Sequence, residues 1–257
     1  MKINASIHIL GVARNVSPYL HKVFANLINV SKVFQNTQIT IVESDSDDGS
    51  YRTLKKWENL VPNTKILSLG KLRKKITKRT ERIAYVRNIT WALRNKDCDY
   101  FMWVDLDNVN AGLLDCKGFS VLSEAPSDWG IITASQDDDY YDIWALRHTA
   151  ICNFDCIEEI KKAGWENKDA HEKYVKVPSR RIVEQLKTID FLKVDSAFGG
   201  MSIIRNIQNL DHEKPFIGVK DSGDEVCEWV TFNNYIRQLG VSIYIAKKFQ
   251  VPRINED

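Results

Sequence analysis

Asp105 and Asp107 close the segment Cys98-Asp99-Tyr100-Phe101-Met102-Trp103-Val104-Asp105-Leu106-Asp107-Asn108, an apolar run that ends in two carboxylates one residue apart. Residues i and i+2 of a strand face the same way, so both carboxylates can reach one divalent cation while Leu106 anchors the loop in the core. A hard cation such as Mn²⁺ or Mg²⁺ takes oxygen ligands and can bridge such a pair to a diphosphate. The same residues also suit a solvated Asp/Asn turn, in which short polar side chains bond their own backbone.

Other residues can complete such a site. Glu43 and Asp45, at the end of Gln38-Ile39-Thr40-Ile41-Val42-Glu43, can accept hydrogen bonds from a ribose or a base. Asp47, Asp48 or Ser50 beside them can equally cap the helix that follows. The basic run Lys71, Arg73, Lys74, Lys75, Lys78, Arg79, Arg82, followed by Arg87-Asn88, can neutralise a diphosphate, although most charge runs are solvated faces. Arginine offers bidentate contacts that lysine cannot, and helical spacing groups Arg79 and Arg82 with Arg87 near the sheet edge. Arg82 and Arg87 are therefore preferred to the lysines.

Tyr140-Tyr141-Asp142-Ile143-Trp144-Ala145-Leu146-Arg147 mixes rings with an acid and a base, which suits a sugar whose apolar face stacks and whose hydroxyls need polar partners. Tyr141, Asp142, Trp144 and Arg147 are the candidates there; a core aromatic pair with a surface ion pair is the plainer alternative. Gly199-Gly200 permits a close backbone approach to a ligand, or a bulge. Asp224-Glu225-Val226-Cys227-Glu228 opens a predicted helix with three acids, favourable for its dipole. Glu225 and Glu228, three residues apart, are each candidates for general-base catalysis or for orienting a hydroxyl, as is Asp142, with Glu228 preferred.

Positioning these groups requires alternating elements. Ser6–Val12 reads as a first strand; Ser17 caps and Pro18 opens a helix to about Val33; residues 38–43 form a second strand, followed by a helix carrying Leu54 and Trp57. Residues 65–69 form a third strand, and 80–93 a helix on apolar positions Ile83, Ala84, Val86, Ile89, Ala92 and Leu93. Strands are predicted over 128–134 and 194–204, helix and loop over 151–188, and a helix over 226–239 ended by Gly240. Such alternation gives a mostly parallel sheet whose ligands bind outside the carboxyl ends of the strands, where Glu43/Asp45 and Asp105/Asp107 fall.

At 257 residues, with no repeat, linker or low-complexity tract, a single domain is expected. Hydrophobic residues make up 44% and charged residues 27%, and 36 Lys+Arg nearly cancel 34 Asp+Glu, so no global field argues for nucleic acid. Seven Trp and nine Tyr are a slight excess that a sugar cleft can use. Five cysteines, odd in number and without C-x-x-C spacing, argue against a zinc knuckle or a disulfide framework and for a reducing compartment. The first ten residues are too interrupted for a signal peptide or membrane anchor, so the expectation is a protein with at most peripheral membrane association.

Taken in order, these segments resemble GT-A glycosyltransferases, particularly the fungal capsule-associated mannosyltransferase family (glycosyltransferase family 69) and, more distantly, mannan polymerase subunits. Glu43-Ser44-Asp45-Ser46-Asp47-Asp48-Gly49-Ser50 is similar to that family's acidic strand-end turn, and Arg82-Ile83-Ala84-Tyr85-Val86-Arg87-Asn88 to its R-I-x-x-x-R-N helix. Tyr141-Asp142-Ile143-Trp144-Ala145-Leu146-Arg147 is similar to its Y-D-x-W-x-L-R segment. The full Asp105-Leu106-Asp107 departs from a degraded version in the capsule family, and the secretory anchor of that family is not matched.

The resemblance implies an α/β fold, a GT-A (Rossmann-like) single domain with a mostly parallel central sheet flanked by helices. Residues 1–115 would be the nucleotide-binding half and 116–257 the acceptor-binding half. It further implies a metal-dependent glycosyltransferase using Mn²⁺ or Mg²⁺ and a UDP- or GDP-sugar donor, with a glycan acceptor, retention of configuration being compatible with it. In that reading Asp105 and Asp107 hold the metal, Glu43 and Asp45 the nucleoside, and Arg82 and Arg87 the diphosphate. Without an anchor, it would act in the cytoplasm of a bacterium or of a virus-infected host cell. The alternatives are a non-catalytic carbohydrate-binding or scaffold subunit and a sugar nucleotidyltransferase; the glycine-rich, lysine-bearing phosphate loop that the latter wants at the first strand end is absent from the sequence.

Overall fold

Short runs of β-branched and aromatic residues separated by amphipathic stretches force parallel strands joined by helical crossovers. The computed structural model describes residues 2–254. Its elements are β1 (Ile3–Ala13), α1 (Leu20–Val33), β2 (Phe34–Glu43), α2 (Ser50–Leu60), β3 (Thr64–Ser68), α3 (Arg79–Ala92), β4 (Tyr100–Asp105) and α4 (Val121–Glu124). There follow β5 (Trp129–Ser135), α5 (Cys156–Ala163), α6 (Lys168–His171), α7 (Val177–Thr188), β6 (Phe191–Val194), β7 (Met201–Arg205), α8 (Glu228–Gln238) and β8 (Ser242–Gln250). The strands form one sheet in the order β3-β2-β1-β4-β7-β5-β8-β6. Only β7 and β6 run against the other described strands, so the sheet is mostly parallel, as expected.

Side-chain alternation along β4 decides where the site can lie. Met102 and Val104 enter the core shared with Val23, Phe24 and Leu27 of α1, whereas Phe101 and Trp103 enter the core shared with Trp91 of α3 and Phe232 of α8. Asp105, two residues beyond Trp103, must therefore face the α3/α8 side. Leu106 points the other way into the α1 core, as its anchoring role requires. On α3 the buried positions include Thr80, Ala84, Arg87 and Trp91, a spacing of one helix face. The apolar pattern alone selects Ile83, Ile89 and Leu93 for that face instead of Trp91 and Arg87.

Several boundaries differ from expectation. Helix α1 starts at Leu20 with Tyr19 at the N-cap and no side-chain cap bond, because the Ser17 N–H donates to Asp48 Oδ2 and draws this turn toward the loop after β2. Strand β2 begins at Phe34, directly after α1, since the Phe34 ring is buried against Phe119. Gly49, at φ 89°, is the N-cap of α2; Asp48 accepts from the Ser50 N–H and hydroxyl, and neither it nor Asp47 caps the helix. The stretch 194–204 is not one strand. It divides at Gly199-Gly200 into the end of β6, paired with β8, and β7, inserted between β4 and β5. Strand β8 was not anticipated, and α8 begins at Glu228, leaving Glu225 outside the helix. All five cysteines are free thiols, and no described helix is long and apolar enough to cross a membrane.

His8 staples this sheet to the turn before β4. Its Nδ1 accepts the Asn95 N–H at 2.8 Å, so Nε2 carries the proton and donates to Thr40 Oγ1, also at 2.8 Å. Burial lowers its pKa from 6.5 to about 4. The unfolded chain thus takes up a proton below pH 6.5 that the native state refuses until about pH 4. Stability is expected to be independent of His8 above pH 6.5 and to fall by ~3 kcal/mol between pH 6.5 and 4. Urea midpoints measured against pH check this, and a His8→Asn variant should lose that part of the slope.

Candidate active site

The carboxyl ends of β1, β2 and β4 open into a cavity of about 560 Å³. Sheet order lays its walls out in sequence. Arg14 and Asn15 after β1 and Asp45 after β2 form one end, Asp105 and Asp107 after β4 lie in the middle, and Tyr141, Asp142, Trp144, Phe198, Glu228 and Trp229 form the other end. Arg79, Arg82 and Arg87 contribute from α3, which covers this face.

Asp105 is fixed from behind. Its N–H donates to the Gly200 carbonyl at 2.9 Å, and Asn110 Nδ2 donates to both that carbonyl and the Asp105 carbonyl. Asp107 Oδ1 accepts the Val109 N–H at 3.1 Å, shaping the turn. Burial, with the Asp107 charge next, pushes the Asp105 carboxyl up to about 8 against the opposing pull of Arg87. Two carboxylates thus share a site in which the second negative charge is poorly tolerated.

Arg87 is 5% exposed and bridges this pair to α8. Its Nε lies 2.9 Å from Glu228 Oε1 and its Nη2 3.5 Å from Asp105 Oδ1. The guanidinium stands 4.6 Å from the Trp229 ring centroid and 5.3 Å from those of Trp103 and Phe198. Nη1 is buried without a hydrogen-bond partner, as are the indole nitrogens of Trp144 and Trp229. Beyond Glu228, Asp142 Oδ2 accepts the Gly199 N–H at 3.1 Å, and burial raises its pKa to about 6, with Glu228 adding to the rise.

At the opposite end, Asp45 adopts φ 61°, accepts the Arg73 N–H at 3.0 Å, and sits 3.9 Å from Arg82 Nε. Arg82 also donates to the carbonyls of Ile76 and Thr77, which folds the basic turn back onto α3. Lys71, Arg73, Lys74, Lys75 and Lys78 of that turn do not line the cavity.

Some expected residues lie elsewhere. Glu43 is buried beside the cavity but committed to the Ser46 N–H and the Ser68 hydroxyl. Glu225 is exposed and accepts from the Thr80 hydroxyl at 2.9 Å; the Val226 N–H, donating to the Gly218 carbonyl, holds that segment outside the cavity. Arg147 binds Asp155 at 2.5 Å and the carbonyls of Trp144 and Leu146, closing its own loop. Gly199 and Gly200, at φ 67° and 83°, approach protein and line no part of the cavity: a Cβ on Gly200 would overlap Val109 and lie 2.9 Å from Tyr141 Oη. Stability of Glu225→Gln is accordingly expected to stay within about 0.5 kcal/mol of the parent by urea unfolding, because the residue is exposed and an amide oxygen still accepts from the Thr80 hydroxyl.

Sequence reading missed Arg14, Asn15, Phe198 and Trp229 as cavity residues, and Asn110 as the brace behind Asp105. Trp229 and Phe198 stack at 4.0 Å between centroids, a long-range pairing that carries no local sequence signal. Arg14 and Asn15 were legible in principle, since they follow a buried strand at a carboxyl end.

No family model and no curated protein matches the chain. Among solved structures, a mannosyltransferase from Pyrobaculum calidifontis in complex with GDP-Man and Mn²⁺ is 13% identical, with 52% of this chain and 36% of that one covered and a TM-score of 0.37. Mannosyl-3-phosphoglycerate synthase from Rubrobacter xylanophilus is 12% identical over 79% of this chain and 53% of its own, at 0.38. Glucosyl-3-phosphoglycerate synthase from Mycobacterium tuberculosis, in complex with Mn²⁺, UDP and phosphoglyceric acid, is 9% identical over 79% and 56%, at 0.39. The chain therefore spans less than two thirds of the length of each of these proteins.

Proposed function

We propose that the chain is a metal-dependent glycosyltransferase of GT-A type that moves a sugar from a nucleotide-diphosphate donor to a hydroxyl-bearing acceptor. The observation that carries this reading is the placement of Asp105 and Asp107 midway along one cavity, with arginines toward one end and carboxylates and indoles at the other. The ordered resemblance of the sequence segments supports the same class.

The residues fit a divalent cation. Among the described residues no group of three or more His, Cys, Asp or Glu forms a complete cage. An Mn²⁺ or Mg²⁺ ion that is shared with substrate phosphates needs only one or two carboxylates, and a cation would relieve the burial and, after it, the Asp107 charge that raise the proton affinity of Asp105. Asp105 and Asp107 would hold the ion, which supplies charge stabilisation to the departing diphosphate. Arg79 and Arg82 line the cavity where the diphosphate and nucleoside would lie, with Asn15 and Asp45 toward the base or ribose. Asp142, whose pKa of about 6 suits proton removal near neutral pH, takes the proton of the attacking hydroxyl, while Glu228 is held in place by Arg87. Tyr141 and Trp144 give the sugar a ring wall.

Calorimetric titration with UDP-, GDP- and dTDP-sugars, with Mn²⁺ and again with chelator, tests the proposal. Metal-dependent binding of one nucleotide class is expected; absence of binding to every donor would refute it. The anomeric proton coupling of the product, read by NMR, then separates inversion from the retention that the family resemblance allows.

A further inference from the structure

The far end of the cavity has an unbalanced charge inventory. Among the described residues that line the cavity past Asp105 and Asp107, the carboxylates of Asp142 and Glu228 face a single guanidinium, Arg87; that of Arg253 stands outside the lining, 5.3 Å from the Tyr141 ring centroid. The Arg87 guanidinium is already engaged, by Glu228 at 2.9 Å and by Asp105 at 3.5 Å. Asp142 is held by neutral donors, the backbone N–H groups of Gly199 and Ala145. A cation bound between Asp105 and Asp107 would spend its charge on them and on the diphosphate, leaving the excess at Asp142 and Glu228 facing the group beyond. The hydrogen-bond inventory is complementary. The oxygens of Asp142 and Glu228 only accept, and the indole N–H groups of Trp144 and Trp229 are buried away from the open cavity, so this wall offers a ligand acceptors. A hydroxyl can donate to such a wall, and a carboxylate cannot.

We infer that Asp142, with Glu228 behind it, is a charge filter that admits an uncharged polyhydroxyl ring at the transfer site and rejects sugars bearing a carboxylate. This rests on the glycosyltransferase reading and names the class of sugar transferred. Like-charge juxtaposition is one physical means of excluding a wrong ligand, and it is removed by an isosteric neutral side chain. Asp142→Asn keeps an oxygen for the Gly199 N–H and removes the charge.

The test uses two donor pairs that differ only in oxidation at the sugar C6: UDP-glucose with UDP-glucuronate, and GDP-mannose with GDP-mannuronate. Dissociation constants are measured with Mn²⁺ for the parent and for Asp142→Asn. In the pair whose nucleotide is accepted, the uronate is expected to bind about 100-fold more weakly to the parent. In Asp142→Asn that ratio should shrink to below about tenfold, with affinity for the bare nucleoside diphosphate unchanged. Equal affinities within the accepted pair would overturn the filter and leave the transferase reading intact, as would a ratio that Asp142→Asn does not change. Failure of all four donors and of the rest of the UDP-, GDP- and dTDP-sugar panel to bind would instead remove the transferase reading itself.

Discussion

Sugar transfer is expected to fall by at least ~10³-fold in Asp105→Asn and in Asp107→Asn, with Mn²⁺-dependent donor binding lost in both. An amide is the informative replacement because at position 107 its side-chain oxygen can still accept the Val109 N–H, so the turn survives while a charged ligand is removed. Thermal midpoints should therefore hold near or above the parental value, since Asp107→Asn removes a charge that helps lift Asp105 to about 8, and Asp105→Asn replaces a carboxyl that is then largely protonated at neutral pH. The same shift gives the site a pH signature. Below about pH 8 a cation must displace the Asp105 proton, so apparent Mn²⁺ affinity should rise roughly tenfold per pH unit from about 6 toward 8 and level off above. In Asp107→Asn the repulsive contribution vanishes, and residual metal binding should level off at lower pH. Unchanged donor affinity in both variants would remove the metal assignment.

That pair of carboxylates was legible because its signal is local: an apolar run ending in Asp-Leu-Asp fixes a strand, an end and a shared face. Even the side was implicit, since Asp105 continues the Phe101–Trp103 alternation. What covers that side was not. Helices α3 and α8 meet there through Arg87 and Glu228, 141 positions apart, and no local pattern distinguishes Glu228 from Glu225. Each sits in the same acidic segment; the choice is made by Thr80, which captures Glu225 from the first turn of a helix 145 positions away.

The glycines show the same division. Gly199-Gly200 announces a tight backbone, and both residues indeed take positive φ. The object approached is the chain itself, Ala134 and Val109, and the gain is the Gly200 carbonyl that anchors the end of β4. Arg147 likewise reads as a ligand-binding cation beside aromatic residues until its partner Asp155 is seen eight positions on. The last strand was invisible for a different reason. Lys247-Lys248 interrupts the apolar run of 242–250, and its burial depends on the β5 and β6 neighbours that flank it.

The loss of Arg87 should be the most damaging single change for stability. Arg87→Ala leaves Glu228 buried without its ion-pair partner, removes the cation that faces Asp105, and empties the space between Trp229, Trp103 and Phe198. Removing one member of a buried ion pair typically costs ~3–5 kcal/mol, which for a chain of this length lowers the thermal midpoint by on the order of 10 °C. Arg87→Lys should fall between, because an ammonium keeps the charge but cannot place one nitrogen on Glu228 and another near Asp105. Calorimetric scans decide this, and an unshifted midpoint in Arg87→Ala would show that the bridge contributes nothing. A second arm connects the bridge to the site. Mn²⁺ held at Asp105 and Asp107 would restore positive charge there, so adding Mn²⁺ alone should raise the midpoint of Arg87→Ala more than that of the parent. The sequence presents Arg87 as a diphosphate ligand; its engaged nitrogens instead hold the two carboxyl groups apart and in place. Nη1 is buried and has no hydrogen-bond partner among the described residues. A residue so committed acts on the reaction mainly by fixing Glu228 and Asp105, which is why its loss should register in the melting curve as strongly as in the rate.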